Sequence, residues 1–403
     1  QAQGRVTCMA FRSGKNAPAH LVSGTPNGAF VVWDLNKRRA HHVHEGVHRG
    51  PVLTAIFIFD QPILITGGKD NSIRMWIFDT PDGLPRLLRE RRGCPGPPRR
   101  MAFYGDDKDK ELIVCGSAEG GGFLSKINFN FITQCKEFNQ KSIRKLPARY
   151  KTILPMVDIA FCYERHWDWP AIVTAHENTD AAFVWSGIAS TLSPGCLQLP
   201  AEERCVGIPV TAVGVSACGN YAVIGFENGA LHRFNIQSQL HRGPFPKRPE
   251  PMEEGGAKAR AKKAELPVVR AHSGRVSGIT ITAAGKVISV AAHPSDCNLK
   301  LWKLLTHEEL GSVPLDANSS GSPSCLLLRA RGALVAVSQD DGNLLVVDLH
   351  GLNVVRSFSC GVPATDAAFS SDGRWLAAAL RDGGLRIFDL PAARCVDSFA
   401  FAR

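Results

Sequence analysis

The chain has 403 residues, of which 44% are hydrophobic and 21% charged, a balance typical of a globular protein with a large core. No run of 18 or more apolar residues occurs, so we expect no membrane-spanning segment. Lysine and arginine number 47 against 37 acidic residues, and the net charge of +10 favours an acidic partner, with nucleic acid the obvious candidate. The alternative is a basic protein without such a partner.

The chain opens without an initiator methionine and without the charged and apolar regions of a signal peptide. Val6 to Phe11 already has the pattern of a β-strand, so we expect a fragment that begins inside a longer protein. The twelve cysteines include no Cys-x-x-Cys pair, which argues against a zinc ribbon or a thioredoxin-like site. Cysteines scattered in apolar runs indicate core residues in a reducing compartment, the cytosol or the nucleus.

A repeated unit runs along the whole chain. Each copy has a short apolar strand ending in small residues, a turn rich in Asn, Asp and Gly, and a strand with an aromatic or apolar residue near its end. From Trp33 to Trp76 is 43 residues, from Trp302 to Val347 is 45, and from Val347 to Phe388 is 41. WD40 repeats have about 40–45 residues and four strands. In chain order we place eight repeats, near residues 5–35, 48–79, 93–131, 151–186, 206–236, 268–303, 313–349 and 360–390.

This repeat predicts an all-β fold of the WD40 β-propeller class, because a single four-stranded blade cannot bury both of its faces without neighbours. Seven blades is the commonest number in such propellers. Eight repeats in a chain that begins inside a blade therefore predict the end of one propeller plus most of a second. Residues 1–90 would be the closing blades of a first WD40 propeller, and residues 91–403 a second WD40 propeller with a flexible insertion at about 244–267.

Two repeats carry the four residue types of the structural WD40 tetrad, a histidine, a hydroxyl residue, an aspartate and a tryptophan. They are His48, Thr66, Asp70 and Trp76 in the second repeat, and His272, Ser289, Asp296 and Trp302 in the sixth. A histidine, a hydroxyl and an aspartate also suggest a hydrolase triad. The tryptophan and the recurrence in two repeats favour a structural relay, in which the aspartate orients the histidine and the hydroxyl accepts the indole N–H.

Other patterns give no sign of catalysis. His41, His42 and His44 precede His48, but this cluster lacks the frame of a metal site, and His48 belongs to a tetrad. The glycines at 120–122 are not followed by the Gly-Lys-Ser/Thr of a phosphate-binding loop. We therefore expect no enzyme activity, no catalytic residue, no metal, no cofactor and no small-molecule substrate.

Three basic clusters are the candidate binding sites for RNA or for a protein partner. The first crowds a segment rich in Pro and Gly that we interpret as a connector, the second contains no acidic residue, and the third ends the insertion. In order they are Arg86, Arg89, Arg91, Arg92, Arg99 and Arg100; Lys141, Arg144, Lys145, Arg149 and Lys151; and Lys258, Arg260, Lys262 and Lys263. Such side chains suit phosphate contacts. Solvated loops and acidic protein neighbours are the alternatives.

Several segments outside the general WD40 pattern resemble one known family. They lie at 59–66, 70–79, 85–105, 216–225 and 235–243, in loops and linkers that other WD40 proteins do not share. In these segments the chain resembles the U3-associated protein 21 family, the tandem-propeller WD40 subunit of the UTP-B module of the small-subunit processome. Two positions depart from the family: Gly93-Cys94-Pro95-Gly96 stands where Gly-His usually precedes Pro-Pro, and Gln239 stands where Gly is usual.

The resemblance implies a non-catalytic scaffold in the nucleolus. Such a scaffold would assemble early pre-rRNA, at its 5′ external spacer, and U3 snoRNA with other UTP-B propeller subunits for maturation of 18S rRNA. The family's C-terminal helical domain would lie outside this chain. The alternative is a peptide-reading WD40 adaptor of another complex, such as a ubiquitin ligase, which would need exposed arginines and aromatics at one mouth of a propeller.

Overall fold

The computed structural model describes residues 5–12, 14, 17–80, 82–105, 111–118, 121–128, 135–200, 207–248, 269–293, 296–315 and 325–399. Over these residues the chain forms eight four-stranded antiparallel sheets, each with its strands in sequence order or the reverse. We call them blades 1–8. Every predicted repeat supplies the first three strands of one blade, and the segment after it supplies the fourth. The predicted all-β propeller fold and its eight repeats are confirmed.

The strands divide between two compact units. Unit 1 comprises residues 1–140, 149–156 and 323–403, and unit 2 comprises residues 141–148 and 157–322. Unit 1 holds blade 1 (β1 Cys8–Phe11, β2 His20–Gly24, β3 Phe30–Asp34, β4 Arg39–His44), blade 2 (β5 Val52–Phe57, β6 Ile63–Gly68, β7 Ile73–Ile77, β8 Arg86–Arg91) and blade 3 (β9 Pro98–Tyr104, β10 Glu111–Ala118, β11 Gly121–Asn128, β12 Cys135–Glu137).

Two short 3-10 helices, η1 Lys141–Lys145 and η2 Ala148–Tyr150, follow β12 in the sequence. Unit 2 holds blade 4 (β13 Met156–Phe161, β14 Ile172–His176, β15 Ala181–Ser186, β16 Thr191–Gln198), blade 5 (β17 Val210–Val215, β18 Tyr221–Phe226, β19 Leu231–Asn235, β20 His241–Phe245) and blade 6 (β21 Val276–Ile281, β22 Lys286–Ala291, β23 Asn298–Lys303, β24 Glu309–Pro314). Unit 1 resumes with blade 7 (β25 Cys325–Arg331, β26 Leu334–Gln339, β27 Asn343–Asp348, β28 Asn353–Ser359) and blade 8 (β29 Ala364–Phe369, β30 Trp375–Leu380, β31 Leu385–Asp389, β32 Arg394–Phe399).

The middle strands of the blades are largely buried, whereas several of the fourth strands are partly exposed. All five residues of β3 and of β14 are buried, whereas every residue of β8 is exposed or half-buried. The core lies between neighbouring blades, as in the cluster where Val184 of blade 4 packs with Phe226 and Phe234 of blade 5. Apolar residues therefore run almost without interruption through the second and third strands, since both faces of these strands are covered.

In two blades, a glycine in the turn between the second and third strands lies against the backbone that leads into the next blade. Gly28, in the turn after β2, has φ +77°, and a Cβ on it would lie 2.0 Å from the carbonyl oxygen of His48. Gly229, after β18, has φ +84°, and its Cβ would lie 2.0 Å from the oxygen of His272. Both the left-handed backbone and the close approach require glycine, because any side chain would collide with the next blade.

In unit 1, blade 1 contacts blade 8 as well as blade 2. The backbone N–H of Val6 donates to the carbonyl of Gly383 at 3.0 Å, and Trp33 of blade 1 shares an apolar cluster with Trp375 of blade 8. The first and last blades of this chain therefore bury one another's faces.

The insertion begins later in the chain than the sequence indicated, because Pro244 and Phe245 complete β20. Most of the insertion, including Lys258, Arg260, Lys262 and Lys263, lies outside the described residues. Within the described part of the chain, no helix has both the length and the apolar character needed to cross a membrane.

Buried tetrads and candidate nucleic-acid interface

The four predicted residues of blade 2 are joined by a chain of hydrogen bonds. The indole Nε1–H of Trp76 donates to Thr66 Oγ1 at 3.0 Å, and the Thr66 hydroxyl donates to His48 Nε2 at 2.9 Å. His48 Nδ1–H then donates to Asp70 Oδ1 at 3.0 Å. Every polar group of the relay therefore has a partner, as buried polar groups require.

Asp70 terminates this relay as a carboxylate. Burial raises its pKa, but hydrogen bonds from the Ser72 side chain, the Arg49 backbone N–H and His48 outweigh that effect and lower the pKa to about 2. Burial lowers the pKa of His48, so the neutral imidazole is favoured. The Ser72 hydroxyl, 2.7 Å from Asp70 Oδ1, is a fifth member that the tetrad pattern does not include.

Blade 6 contains the same relay, and its aspartate is more buried than that of blade 2. Trp302 Nε1–H donates to Ser289 Oγ at 2.9 Å, Ser289 donates to His272 Nε2 at 2.8 Å, and His272 Nδ1–H donates to Asp296 Oδ2 at 3.0 Å. Asp296 also accepts from the backbone N–H of Ser273 at 2.8 Å. Burial raises the pKa of Asp296, but these bonds to His272 and Ser273 outweigh it and lower the pKa to about 2.

The hydroxyls of the relays are not placed to attack a substrate. Thr66 and Ser289 have no exposed surface, and each oxygen accepts an indole N–H. A hydrolase nucleophile needs access to a substrate carbonyl and a nearby oxyanion site. The geometry of these two relays therefore supports a structural role.

Two further blades carry shortened versions that the sequence reading missed. Trp33 Nε1–H donates to Ser23 at 2.8 Å in blade 1, and Trp185 Nε1–H donates to Thr174 at 2.8 Å in blade 4, where His176 Nε2 contacts the same hydroxyl at 2.8 Å. A signal existed, because the hydroxyl precedes the tryptophan by ten or eleven residues here and by ten in blade 2.

Three of the histidines at 41–48 have different packing partners. His41 Nε2–H donates to the carbonyl of Asp82 at 2.8 Å, and the ring of His44 packs against Phe30 and Trp76. His48 is directed into the tetrad. Among the residues that the structure describes, no group of three His, Cys, Asp or Glu side chains is arranged to hold a metal ion.

The first basic cluster lies largely in strands, so its interpretation as a connector was wrong. Arg86, Arg89 and Arg91 belong to β8, the outer edge strand of blade 2, whereas Arg99 and Arg100 belong to β9, the first strand of blade 3. Arg92 begins the short connection between them. Charged side chains are a common protection for an edge strand, which otherwise presents unpaired backbone groups. This location gives the arginines of β8 a structural reason to be there.

Ion pairs reduce the charge that this cluster can offer to a ligand. Arg86 Nη2 lies 2.5 Å from Asp79, and Glu90 accepts from both Arg74, at 2.7 Å, and Arg92, at 3.0 Å. The cluster is therefore split between two strands and partly neutralised.

The second basic cluster is presented differently. Lys141, Arg144 and Lys145 are exposed on η1, which has no acidic residue and no buried residue, and Arg149 and Lys151 follow as exposed residues. No acidic residue occurs between positions 138 and 157 of the sequence. Leu146, Tyr150 and Ile153 are buried and hold the segment to the fold. Three cations of η1 thus share one short, anchored surface.

Blade 5 and the loop after β23 contain a buried histidine group that the sequence reading did not single out. His232 Nδ1 and His241 Nε2 are 2.9 Å apart, and the His307 ring lies 4.4 Å from the Phe245 ring centre. Burial lowers the pKa of His232 well below its usual value, with His241 and Arg248 adding to the effect. Burial and then Arg233 lower the pKa of His307 to about 4.

Acidification should therefore destabilise this part of the protein. The folded state keeps His232 and His307 neutral, whereas histidines of an unfolded chain take up a proton near pH 6.5. Stability is full above about pH 6.5 and falls as the pH decreases towards 4. Because solvent screens part of the charge, we expect His307→Gln to remove about 1–2 kcal/mol of this loss. Urea unfolding at pH 7 and pH 4.5 measures it, with the exposed His350→Gln as control; equal losses in both variants would contradict the assignment.

Comparison with known proteins matches the chain along nearly its whole length. A family model described as the WDR36/Utp21 second beta-propeller domain matches residues 101–403, and one described as the WDR36/Utp21 first beta-propeller matches residues 1–79. WD repeat-containing protein 36 of Homo sapiens is 30% identical over 99% of this chain and 42% of that protein. The U3 small nucleolar RNA-associated protein 21 homolog of Schizosaccharomyces pombe is 31% identical over 98% of this chain and 41% of that protein.

Solved structures resemble the chain in fold. Sqt1 of Chaetomium thermophilum, solved bound to the N-terminus of the ribosomal protein L10, has a TM-score of 0.69 at 12% identity, over 96% of this chain and 97% of that one. The computationally designed protein Ika8 has a TM-score of 0.65 at 17% identity, over 96% of both chains.

Eight four-stranded blades and the buried His–hydroxyl–Asp–Trp relays define a WD40 β-propeller protein. Within that class, the matched family models show that the chain belongs to the WDR36/Utp21 family. The chain spans about two fifths of the length of the curated relatives it matches.

Proposed function

We propose that this chain is part of a non-catalytic scaffold of ribosome biogenesis, acting in the nucleolus within the small-subunit processome. The observation that carries the proposal is the match to the WDR36/Utp21 family over nearly the whole chain, in which two relatives are named as U3 small nucleolar RNA-associated proteins. The scaffold would hold U3 snoRNA and the 5′ external spacer of pre-rRNA together with other UTP-B propeller subunits.

We further propose that the boundary between two propellers lies in residues 80–100. The two family models end and begin on either side of this stretch, close to the boundary at 90 that the repeat count predicts. In this chain blade 1 packs against blade 8, so the proposed division rests on the two family models and the repeat count and not on the packing.

The surface that best fits RNA is η1, with Lys141, Arg144 and Lys145. All three side chains are exposed, and the sequence from 138 to 157 contains no acidic residue. Arg149 and Lys151 extend the same basic stretch of sequence. No aromatic residue of η1 offers a face for base stacking, so contact would be electrostatic and would not distinguish between bases.

Neutralising η1 should weaken RNA binding. In the full-length protein, Lys141→Gln, Arg144→Gln and Lys145→Gln together should reduce ultraviolet crosslinking to U3 snoRNA or the 5′ spacer about tenfold. The dependence of binding on salt should also become shallower, by about 0.7 in log–log slope for each phosphate of a single strand that the variant no longer neutralises. Crosslinking yield and salt titration measure the two effects.

A matched control removes the same charge elsewhere. Lys37, Arg86 and Arg92 are exposed but paired with Asp34, Asp79 and Glu90, so replacing all three by glutamine lowers the net charge equally without touching η1. This control should retain most of the crosslinking. An equal loss in both variants would contradict the proposal, because total charge or the first basic cluster would then account for as much binding as η1. Retention of RNA with loss of a protein subunit would assign η1 to protein contact.

A further inference from the structure

The loop between β13 and β14 of blade 4 exposes a large aromatic side chain. Trp167 is 74% exposed, more than any other large hydrophobic residue in the described part of the chain. Isolated exposed apolar residues are common on protein surfaces and need no explanation on their own. The reasons to look further are the way the loop holds this tryptophan and the charges beside it.

The loop is fixed to the neighbouring blade at two points. Trp169 Nε1–H donates to the carbonyl of Gly219 at 3.1 Å, and Cys162 Sγ donates to the carbonyl of Ala217 at 3.0 Å. Gly219 belongs to the corresponding loop of blade 5 and has φ +69°, and a Cβ there would lie 2.8 Å from Arg165. The close contact between the two loops therefore requires glycine.

Aromatic packing continues from these anchors to Trp167. The rings of Tyr163 and His166 stack with centres 4.8 Å apart, and His166 is only 7% exposed. Trp167 then meets His166 edge to face at 5.1 Å. The backbone N–H of His166 donates to Tyr163 and that of Asp168 to Arg165, which makes the turn compact. Trp167 therefore projects from a compact, hydrogen-bonded turn. A partner that binds it would lose little conformational entropy in ordering the loop.

The charges around Trp167 disfavour nucleic acid. Glu164 and Asp168 are exposed on either side of it, and the single cation, Arg165, is paired with Asp168 at 3.1 Å and lies over the Trp169 ring. The loop therefore carries a local charge of −1 on a chain of +10. A phosphate backbone would be repelled here, whereas a cationic protein surface would be attracted.

We infer that Trp167 is the anchor of a docking surface for a protein that offers an apolar pocket edged by lysine or arginine side chains. Tryptophan is the side chain most enriched among residues that dominate binding energy, because it buries a large area with little conformational freedom to lose. Ile188 is 42% exposed in the loop between β15 and β16, which lies at the same end of blade 4 as the loop that carries Trp167. The inference does not rest on the RNA surface at η1, since it uses other residues and another kind of partner.

Photocrosslinking in the native assembly tests the contact directly. Full-length protein carrying Trp167→p-benzoylphenylalanine should form a crosslink that resists ribonuclease and disappears on protease treatment. Mass spectrometry of the crosslinked peptide should find apolar residues flanked by lysine or arginine. The same substitution at Val355, 39% exposed on blade 7, is the control for chance proximity. A ribonuclease-sensitive product, or no crosslink above the Val355 control, would overturn the inference.

Two variants then measure the anchor and the charge separately. Trp167→Ala should reduce retention of the crosslinked protein at least tenfold, and Glu164→Arg should reduce it severalfold because it repels a cationic rim. Both positions are exposed, so thermal unfolding should stay at the wild-type temperature. Unchanged retention in Trp167→Ala would exclude an anchoring role. Stronger association in Glu164→Arg would show that the neighbour is an anionic surface such as nucleic acid.

Discussion

Replacing Trp302 by alanine should lower the free energy of unfolding of unit 2 by about 3–5 kcal/mol, the range for removing a large buried aromatic side chain. Trp302 is 1% exposed and packs in a cluster with Phe245 of blade 5 and Val287 and Leu304 of its own blade. Its removal leaves a cavity between two blades and also leaves Ser289 without the indole N–H that it accepts. Urea unfolding followed by circular dichroism measures the change.

Two control variants separate packing from hydrogen bonding. Trp302→Phe keeps most of the apolar volume and removes the N–H, so it should lose only about 1–2 kcal/mol. Leu305→Ala, at a neighbouring position that is 62% exposed, should stay within about 0.5 kcal/mol of wild type. If Trp302→Ala were no worse than Trp302→Phe, the packing between blades 5 and 6 would not depend on this side chain.

Replacing Asp296 by alanine should also destabilise the protein by about 3–5 kcal/mol, because it breaks a buried pair and leaves one partner uncompensated. Asp296 is 1% exposed, and its carboxylate accepts from His272 and the Ser273 backbone, with Lys300 Nζ at 3.7 Å. The substitution therefore removes the carboxylate partner of His272, of the Ser273 backbone N–H and of Lys300 together. The contribution of Asp296 is full above about pH 4 and disappears as the pH falls through about 2, since its pKa is lowered in the folded state.

The corresponding change in blade 2 is the matched comparison. The Asp70 side chain is 12% exposed, so water can replace part of what Asp70→Ala removes, and the loss should be about 1–3 kcal/mol. Denaturant unfolding at pH 7 compares the two variants. Equal losses of unfolding free energy in Asp296→Ala and Asp70→Ala would show that the burial of the aspartate does not determine how much the relay stabilises the fold. A variant that unfolds like wild type but abolishes a reaction would contradict the structural role altogether.

The members of the tetrads could be predicted from the sequence because residue type and spacing place these hydrogen-bonding side chains together. His48, Thr66, Asp70 and Trp76 each sit at a defined place in a repeated hairpin, so one period positions all four. The shortened relay of Thr174 and Trp185 does not follow from the four-residue pattern that predicts the complete tetrads. A signal for it was the spacing of ten or eleven residues between the hydroxyl residue and the tryptophan, which blades 1, 2 and 4 share.

The basic clusters show where linear proximity misleads. Arg89 and Arg99 are ten positions apart, yet they occupy the outer edge strand of one blade and the first strand of the next. The ion-pair partners of these arginines were equally hard to predict from the sequence. Asp79 pairs with Arg86 because the connection between β7 and β8 reverses the direction of the chain. A run of arginines in sequence is therefore not a surface of arginines in space.

The sequence by itself determined the fold class, the eight repeats and the members of both complete tetrads, because periodicity and hydrogen-bonding side chains act within one blade and survive as local patterns. Only the tertiary structure decided which charges are paired, which histidines are buried and which aromatic is exposed. Glu90 and His232 differ from similar residues elsewhere in the chain by what lies across from them in another strand, and Trp167 differs by its 74% exposure. Electrostatics and burial depend on distances in three dimensions, and no local pattern records those distances.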